Sequence, residues 1–304
     1  MIRTLDEVVK AASQSVPCIM AVAVAQDSDV LKAVAVAVKE NIVRPILVGD
    51  KNEIINIAKE EQIDLEGIEI IDESDKANAC MIAAGLVRDK KASLLMKGLV
   101  DTSLVMKAVL NKENDLKKSE LISHVAVMEV PGFNRLIYVS DSAMNIAPSL
   151  EDKASIIRNT VEVAHALGNP CPKVAVLCAV EKVNQKMPCT LDALELTKMN
   201  ENGEIKDCMV NGPLALDNAI SLEAAKHKGI ENPVAGNADI LITPDIESGN
   251  MLNKSMEYFA MSKKASVMMG AKVPIVLISR ASSAQSKMYS IAISALIASL
   301  QEGR

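Results

Sequence analysis

An arginine follows an apolar segment near the carboxyl end of the chain, in the sequence VPIVLISRASSAQ. The apolar run at 275–278 predicts a buried strand that ends at Ser279 and Arg280. Ser282 and Gln285 have the S-x-x-Q spacing of a capping box, which predicts that a helix begins there. A guanidinium beside the N–H groups of a helix start is suited to an anion such as phosphate. The alternative is an arginine that tethers a loop or pairs with a surface carboxylate.

Polar side chains also follow the other apolar runs. Asn, Asp, Ser and Gly populate turns in any case, so each cluster taken alone is explained as turn chemistry. Parallel strands, however, present their carboxyl ends at one edge of a sheet, where open α/β sheets bind ligands. Together the clusters therefore predict a ligand site. They are Lys97-Gly98 with Thr102 and Lys107; Asp141, Ser142 and Asn145; Asn211-Gly212-Pro213; Asp245, Glu247, Ser248, Gly249 and Asn250; and Ser279-Arg280.

The elements that must position these clusters alternate along the chain. Strand and helix signals between residues 19 and 97 read as βαβαβα, which predicts mostly parallel sheets with helices on both faces. Two closely joined strands around Pro131-Gly132 predict an antiparallel hairpin. Alternation then resumes as far as the last helix. The wholly polar stretch 111–115 is typical of a linker between domains. We therefore predict two three-layer α/β lobes with a boundary near residues 115–125.

Composition excludes several classes of protein. The chain has 304 residues, of which 49% are hydrophobic and 24% charged, as in folded proteins of one large or two medium domains. Aromatic residues are 2% and the net charge is −6, which argues against nucleic-acid binding. No apolar run suits a bilayer, the N-terminus lacks a signal core, and the six cysteines form no C-x-x-C pair. We therefore expect a cytoplasmic protein with reduced thiols and no membrane partner.

The common nucleotide and nucleophile motifs are missing from the sequence. It contains neither the P-loop nor the dinucleotide glycine pattern, and no G-x-S-x-G elbow. His124, His165 and His227 are far apart and lack metal-ligand spacing. We therefore expect chemistry without a metal and without a covalent serine intermediate.

Over nearly its whole length the chain resembles the phosphate acetyltransferase/butyryltransferase family. The segments that carry the resemblance occur in the family's order: RPILVGD at 44–50, MKGLVDTSLVMKAVL at 96–110, SDSAMNIAP at 140–148, NGPLALDNAIS at 211–221, ADILITPDIESGN at 238–250 and PIVLISR at 274–280. The segments SHVAVMEV and CAVEKVNQKMPCTLDALELTKM are more similar to the butyryl branch than to the acetyl branch.

The resemblance implies a fold like that of isocitrate and isopropylmalate dehydrogenases, with the active site in the cleft between the lobes. The last helix would return to the first lobe. The implied domains are therefore a discontinuous first one, residues 1–120 with 281–304, and a second one, residues 121–280. Family members transfer an acyl group between coenzyme A and inorganic phosphate and are commonly dimers or larger. The implied partners are acyl-CoA, phosphate and copies of the chain, with coenzyme A as a substrate and no cofactor.

Roles follow from the charges that this reaction develops. Negative charge appears on the carbonyl oxygen and on phosphate, so Arg280 is the first candidate to bind them. The resemblance implies that Ser279 hydrogen-bonds the thiol, which reacts only once it is deprotonated. Glu247 and Asp141 are the candidates for the base. The other implied phosphate and coenzyme A ligands are Lys97, Gly98, Thr102, Lys107, Asn145, Asn250, Ser282 and Ser283.

Three positions depart from the family's pattern. The acid that the acetyl branch has six residues beyond the arginine is Ser286 here, and the acid that the butyryl branch often has two residues beyond it is Ser282. Lys107 replaces the usual arginine, which keeps the charge but loses the bidentate fork. The missing acids leave a second hypothesis open, a non-catalytic sensor that binds coenzyme A or acyl phosphate. A metal-dependent oxidative decarboxylase is disfavoured, because the relevant helix has no D-x-x-x-D pair.

Overall fold

A computed structural model describes residues 1–278 and 282–302. By their contacts these residues form two compact units. The first unit contains residues 5–119 and the described residues from 265 onward, and the second contains residues 1–4 and 120–264. The contacts group residues 265–278 with the first unit, whereas the sequence placed the boundary at 280. The predicted domains stay a prediction.

Strands and helices alternate along most of the chain. The strands are β1 (Cys18–Ala23), β2 (Val43–Gly49), β3 (Glu69–Asp72), β4 (Leu94–Lys97), β5 (Ser123–Glu129), β6 (Leu136–Ser140), β7 (Lys173–Leu177), β8 (Met209–Leu214), β9 (Ile240–Ile242), β10 (Lys263–Met269) and β11 (Ile275–Val276). The helices are α1 (Leu5–Ser13), α2 (Ser28–Lys39), α3 (Lys51–Glu60), α4 (Lys76–Arg88), α5 (Thr102–Val109), α6 (Leu150–Ala166), α7 (Pro188–Glu201), α8 (Leu216–Ile220), α9 (Leu222–His227), α10 (Ile246–Tyr258) and α11 (Ala284–Glu302). Within the described part of the chain, every helix is too short or too polar to cross a bilayer.

In the first unit the strands lie in the order β3-β2-β1-β4-β11-β10. All neighbours pair in parallel except β10 and β11, which are antiparallel. The order reverses beside β1, because β2 and β3 extend the sheet on one side and β4 lies on the other. A reversal of this kind opens a crevice at the carboxyl ends of the two central strands, where open α/β sheets bind ligands.

Burial explains why the central strands of this unit are apolar throughout. Residues 20–25 of β1 and its extension are buried on both faces, as is typical of a parallel strand covered by helices on each side. α11 contacts α1 and α2 as well as β1, β4 and β11, so the last helix of the chain packs on the first strand. α4 contacts β1, β2, β4 and α5. The carboxyl edge of β1 and β4 is thereby held between packed helices.

In the second unit the strands lie in the order β5-β6-β9-β7-β8. β5 and β6 form the predicted antiparallel hairpin, and the other neighbours are parallel. A buried cluster fills this unit around Met128, Ile137, Leu214 and Leu241. The prediction of an α/β fold with mostly parallel sheets is therefore confirmed.

One predicted strand end is wrong. Asn211-Gly212-Pro213 lies inside β8 and not beyond it, at an irregularity where three residue steps of β8 match two of β7. Such residues are rare in strands, but β8 stands at the edge of the strand order, where a proline that lacks an N–H is tolerated. This cluster therefore does not join the other polar residues past the strand ends.

Candidate functional site

Gly98 lies directly beyond β4 in the first unit, at the point where the strand order reverses. A Cβ at this residue would be 2.0 Å from the carbonyl oxygen of Val24 and 2.8 Å from that of Ala23. The Gly98 N–H donates to Ala23 (2.8 Å), and the next N–H, of Leu99, donates to Val24 (2.8 Å). Only glycine fits this close approach of two backbones, which fixes the loop after β4 against the end of β1.

Lys97, the last residue of β4, carries a buried charge at the same edge. Its side chain is 7% exposed, and Nζ donates to the carbonyl oxygens of Val100 (3.0 Å) and Gly98 (3.3 Å). Burial raises the pKa of the nearby Cys80 thiol to about 11, against the opposing effect of the Lys97 charge. The structure thus places a fixed positive group at the strand end that the sequence singled out.

Thr102 and Lys107, the next two predicted ligands, lie on α5. Thr102 is the first residue of the helix and is partly buried, whereas Lys107 is exposed in the last turn. A cation in the last turn complements the negative end of the helix dipole. Lys107 therefore has a structural explanation besides the predicted one.

The helix after β11 begins one residue later than the capping box predicted. Ser283 is the cap, because its Oγ accepts from the Ser286 N–H (3.2 Å). Gln285 does not reach back to the cap and donates instead to Tyr289 Oη (2.8 Å). The prediction of a cap at Ser282 is therefore wrong by one position, since two successive serines offer the same chemistry.

Lys287 is a second buried cation in this unit, and the sequence analysis missed it. It is 5% exposed, its Nζ donates to the Ser282 carbonyl oxygen (2.5 Å), and it lies 3.5 Å from the Asp29 carboxylate. Lys287 lies on a face of α11 that is otherwise apolar in sequence. Its burial beside a carboxylate becomes visible only from the tertiary contact with the start of α2.

Ser279 and Arg280 fall outside the described residues. The described chain ends at Ile278 on one side and resumes at Ser282 on the other. The predicted roles of Ser279 and Arg280 stay predictions.

In the second unit, Asp141 follows β6 and is 2% exposed. Its Oδ1 accepts from the N–H groups of Ala143 (2.9 Å) and Met144 (3.0 Å). Its Oδ2 accepts from the His124 N–H (3.1 Å) and from Asn145 Nδ2 (2.5 Å). A carboxylate has about four acceptor positions, so these donors occupy its capacity. The geometry is that of a charge that holds a turn.

Ser142 connects this turn to α10 and β5. Asn250 Nδ2 donates to the Ser142 carbonyl oxygen (3.1 Å), and Asn253 Nδ2 donates to Ser142 Oγ (3.3 Å). The same Oγ lies 3.0 Å from Nδ1 of His124. Asn250 and Asn253 are three residues apart and so share one face of α10. The structure therefore brings the predicted Asp141, Asn145 and Asn250 together and adds His124 and Asn253, which the sequence did not single out.

Gly249 allows α10 to approach the turn. A Cβ at this residue would be 2.2 Å from the Asp141 carbonyl oxygen and 2.6 Å from Thr243 Oγ1. Thr243 Oγ1 donates to that same carbonyl oxygen (3.0 Å). The glycine in the sequence IESGN is thus required by packing between the helix and the strand end.

The start of α10 carries two acidic residues, the helix cap Asp245 and the second candidate base, Glu247. Asp245 caps the helix, accepting from the Ser248 hydroxyl (2.6 Å) and its N–H (2.8 Å), and these bonds hold the pKa of Asp245 below its usual value. Glu247 is exposed in the first turn. Of the two predicted bases, Glu247 is open to solvent and Asp141 is enclosed.

Burial keeps His124 neutral. It lowers the pKa of His124 to about 4; the Lys264 charge acts in the same direction and the Asp141 charge opposes it. At neutral pH the ring therefore has one N–H donor and one acceptor nitrogen, which suits its contact with a serine hydroxyl.

Comparison with known proteins decides the family. The model of the family described as Phosphate acetyl/butaryl transferase matches residues 3–78 and 73–295. The chain belongs to this family. A phosphate butyryltransferase from Clostridium acetobutylicum is 47% identical over 298 residues, which are 98% of this chain and 99% of the relative. The predicted resemblance is confirmed, and this member of the phosphate acetyl/butyryl transferase family is an acyltransferase.

Solved structures agree with this assignment. A branched-chain phosphotransacylase from Enterococcus faecalis V583 superposes with a TM-score of 0.82 at 34% identity, covering 92% of this chain and 99% of its own. A 4-hydroxythreonine-4-phosphate dehydrogenase from Klebsiella pneumoniae has a TM-score of 0.56 at 11% identity, covering 93% and 99%. The second likeness concerns the fold alone and shows that this chain has a dehydrogenase-like fold.

Proposed function

We propose that this chain reversibly transfers a short acyl group, butyryl or a similar one, between coenzyme A and inorganic phosphate. The observation that carries the proposal is the near full-length similarity to a phosphate butyryltransferase, 47% identity over 98% of the chain. Both substrates would bind together in a ternary complex, with coenzyme A as a substrate and no cofactor. Because the enzyme holds the two anionic substrates side by side, their proximity supplies a large part of the rate enhancement.

Arg280 is proposed to neutralise phosphate and the developing oxyanion, and Ser279 to hydrogen-bond the thiol. In the direction that forms acyl-CoA, the thiol sulfur attacks the acyl carbonyl carbon, the bond from that carbon to the phosphate oxygen breaks, and the thiol proton passes to a base. Because the net charge is −6, anionic substrates need local positive groups. The buried Lys97 charge supports such a role at the end of β4. Gly98, Thr102, Lys107, Ser282 and Ser283 are the other proposed ligands from this unit.

Glu247 is the base that we favour among the described acids. The Asp141 carboxylate already accepts four hydrogen bonds, whereas Glu247 is exposed and able to take a proton. Asp141 is accordingly proposed to act by holding the turn that carries Asn145 and by fixing Asn250 through Ser142.

Acyl preference is proposed from the relatives. One is named a phosphate butyryltransferase and another a branched-chain phosphotransacylase, while the family description includes both acetyl and butyryl transfer. We therefore propose that butyryl-CoA and isobutyryl-CoA are better substrates than acetyl-CoA.

The test is release of the coenzyme A thiol from acetyl-, propionyl-, butyryl- and isobutyryl-CoA, with and without phosphate. We expect phosphate-dependent release that is fastest with the four-carbon substrates. Arg280→Ala should slow it by about 100- to 1,000-fold, as expected when one oxyanion ligand is removed. Arg88→Ala is the control, because Arg88 is paired with Asp89 on the surface of α4. Thermal stabilisation by coenzyme A without turnover would instead support the non-catalytic sensor.

The enzyme is further proposed to be a cytoplasmic homodimer or larger assembly that acts on small molecules, with no nucleic-acid or membrane partner. Tyr258, Phe259 and Met261, at the end of α10, are 61%, 88% and 75% exposed. Clustered apolar side chains of this kind mark interaction surfaces. The thiols of Cys80, Cys178 and Cys208 are buried, as is usual for cysteines that pack as small apolar residues.

A further inference from the structure

Two cysteines of the second unit face each other where β7 gives way to α7. Their positions follow from the packing around Gly212 of β8. A Cβ at Gly212 would be 2.9 Å from Val176 Cβ and 3.1 Å from Ala193 Cβ, so the strand residue and the helix residue meet at this point. Cys178 lies two residues beyond Val176, and Cys189 lies four residues before Ala193.

Both steps lead in the same direction. Residues two apart on a strand point to the same side, and residues four apart on a helix share a face. α7 connects the parallel strands β7 and β8, so it runs antiparallel to them and its first turn lies at the carboxyl end of β7. The strand step is about 6.6 Å and the helix step about 6 Å. The register therefore places the two cysteines at the same end of the contact between strand and helix, where the side chain of Cys189 hydrogen-bonds the Cys178 thiol.

The surroundings of the two thiols differ. Cys178 is 8% exposed, whereas Cys189 is partly exposed in the first turn of α7. Burial, with the charge and the hydrogen bond of Cys189, raises the pKa of the Cys178 thiol to about 12. The nearby Lys153 and Asp192 pair with each other at 2.6 Å. A buried thiol is thus hydrogen-bonded to a more accessible thiol in the first turn of α7. The more accessible thiol is the one that an oxidant reaches first.

We propose that Cys178 and Cys189 form a modification site at which a hydroperoxide introduces an intramolecular disulfide. The Cys189 sulfur attacks one peroxide oxygen, the O–O bond breaks, and the departing oxygen takes a proton and leaves as water or an alcohol. Cys189 is then a sulfenic acid. The Cys178 sulfur attacks the Cys189 sulfur, the S–O bond breaks, and water leaves with the Cys178 proton. The two thiols lose two electrons, and the hydroperoxide is reduced.

The disulfide would join the end of β7 to the start of α7 across residues 179–188. Thr190 already ties this connection together, because its Oγ1 accepts from the Asn184 N–H (2.9 Å) and donates to the Met187 carbonyl oxygen (2.8 Å). The bridge therefore closes a connection whose two ends are held in place in the reduced protein.

A second cysteine pair provides a matched control. Cys171 and Cys208 lie just before β7 and β8, at the amino ends of these strands, with Cys171 exposed and Cys208 buried. They share exposure and burial with the proposed pair, but neither lies at a helix start. If accessibility alone directed oxidation, these two would react instead.

The experiment oxidises the full-length, reduced protein with equimolar hydrogen peroxide, blocks the remaining thiols after denaturation and maps tryptic peptides. Lys182 and Lys186 separate the two cysteines, so the bridge would join VAVLCAVEK to MPCTLDALELTK. We expect titratable thiols to fall from six to four, because one bond consumes two. Cys171→Ser should lose two thiols as well, whereas Cys178→Ser and Cys189→Ser should give no such bridge.

The peptide map of the unsubstituted protein is the primary readout, so the test stands even where a variant folds poorly. A bridge between Cys171 and Cys208 in its place would overturn the proposal. So would oxidation of Cys189 beyond the sulfenic acid without a bridge, or retention of all six thiols. Because the product is a covalent bond, the result is independent of acyl transfer.

Discussion

Acidic side chains with similar positions in the sequence have different environments in the second unit. Asp141 directly follows β6 and is enclosed by N–H donors, whereas Glu247 stands exposed in the first turn of α10. An enclosed carboxylate stabilises the folded chain, because each donor that loses its acceptor while buried costs free energy. An exposed carboxylate is available for proton transfer. Stability and activity should therefore separate between the two residues.

Asp141→Asn should lower the free energy of unfolding by about 2–3 kcal/mol, because an amide offers one oxygen acceptor and turns two of its own hydrogens toward existing donors. Glu247→Gln should change it by less than about 0.5 kcal/mol, as for other exposed sites, while slowing phosphate-dependent thiol release. Urea denaturation and the release assay measure the two quantities. Equal losses of stability in both variants would show that Asp141 does not hold the turn.

His124 should make stability depend on pH. Its pKa is about 4 in the folded chain and 6.5 when unperturbed, so between these values the unfolded chain binds the proton and the folded chain does not. The contribution of His124 to the free energy of unfolding is therefore fully present above pH 6.5. It is lost as the pH falls toward 4, and the loss amounts to up to about 3 kcal/mol.

His124→Asn should reduce this loss, whereas His227→Asn, which removes an exposed histidine at the end of α9, should leave it unchanged. Urea denaturation at a series of pH values checks the comparison. The same slope in the parent and in His124→Asn would contradict the assignment.

At the residue scale, the sequence located side chains correctly where the signal was local, while the roles of these residues stay predictions. Asp141, Asn145 and Asn250 follow strand ends or begin a helix, so their place at one edge is readable from the sequence. His124 and Asn253 were not singled out, because a strand residue and a second helix turn bring them to Ser142 only in three dimensions. The cap at Ser283 was missed by one residue because Ser282 offers the same hydroxyl.

At the scale of elements, the packing of a helix depends on whether its glycine faces the backbone of a neighbouring element. Gly249 of α10 faces the Asp141 carbonyl oxygen, whereas a Cβ on Gly85 of α4 would meet only Arg88 Nη2, at 3.7 Å. Both glycines lie inside helices, where alanine is intrinsically favoured by about 1 kcal/mol. The same substitution should therefore have opposite effects at the two positions.

Gly85→Ala should raise the free energy of unfolding by about 0.5–1 kcal/mol. Gly249→Ala should lower it by about 1–3 kcal/mol, because a methyl group 2.2 Å from a backbone oxygen forces the helix away from the strand end. Thermal and urea unfolding of the two variants provide the measurement. Stabilisation by Gly249→Ala would mean that α10 does not press on the turn.

Alternating elements were predictable because apolar runs and helical spacing are local patterns. The hairpin β5–β6 and the parallel βα units appear as expected. β8 did not, since Asn211-Gly212-Pro213 has the composition of a turn and is accommodated only because an edge strand tolerates proline. Strand order, which places β4 and β11 as neighbours, depends on long-range pairing that no local pattern encodes.

For the molecule as a whole, the exposed Tyr258, Phe259 and Met261 bear on the proposed assembly. Phe259→Asp should lower the molar mass in light scattering toward 32.5 kDa, the mass of one chain, because a carboxylate cannot be buried against an apolar partner. Val16→Asp is the control, since Val16 is 83% exposed and lies in the first unit. A parent protein that already has the mass of one chain, or a variant that keeps the parent's larger mass, would contradict the role of this surface.

β11 lies inside the first unit's strand order, between β4 and β10, although it is built from residues 275 and 276. During synthesis, therefore, β4 emerges from the ribosome long before β11 does. Until β11 is made, one row of N–H and C=O groups of β4 has no strand partner. Nascent chains that stall early carry this bare edge, which is a template for association with other chains. The speed at which the ribosome translates the segment that encodes β11 should accordingly govern how much of the protein is recovered in folded form.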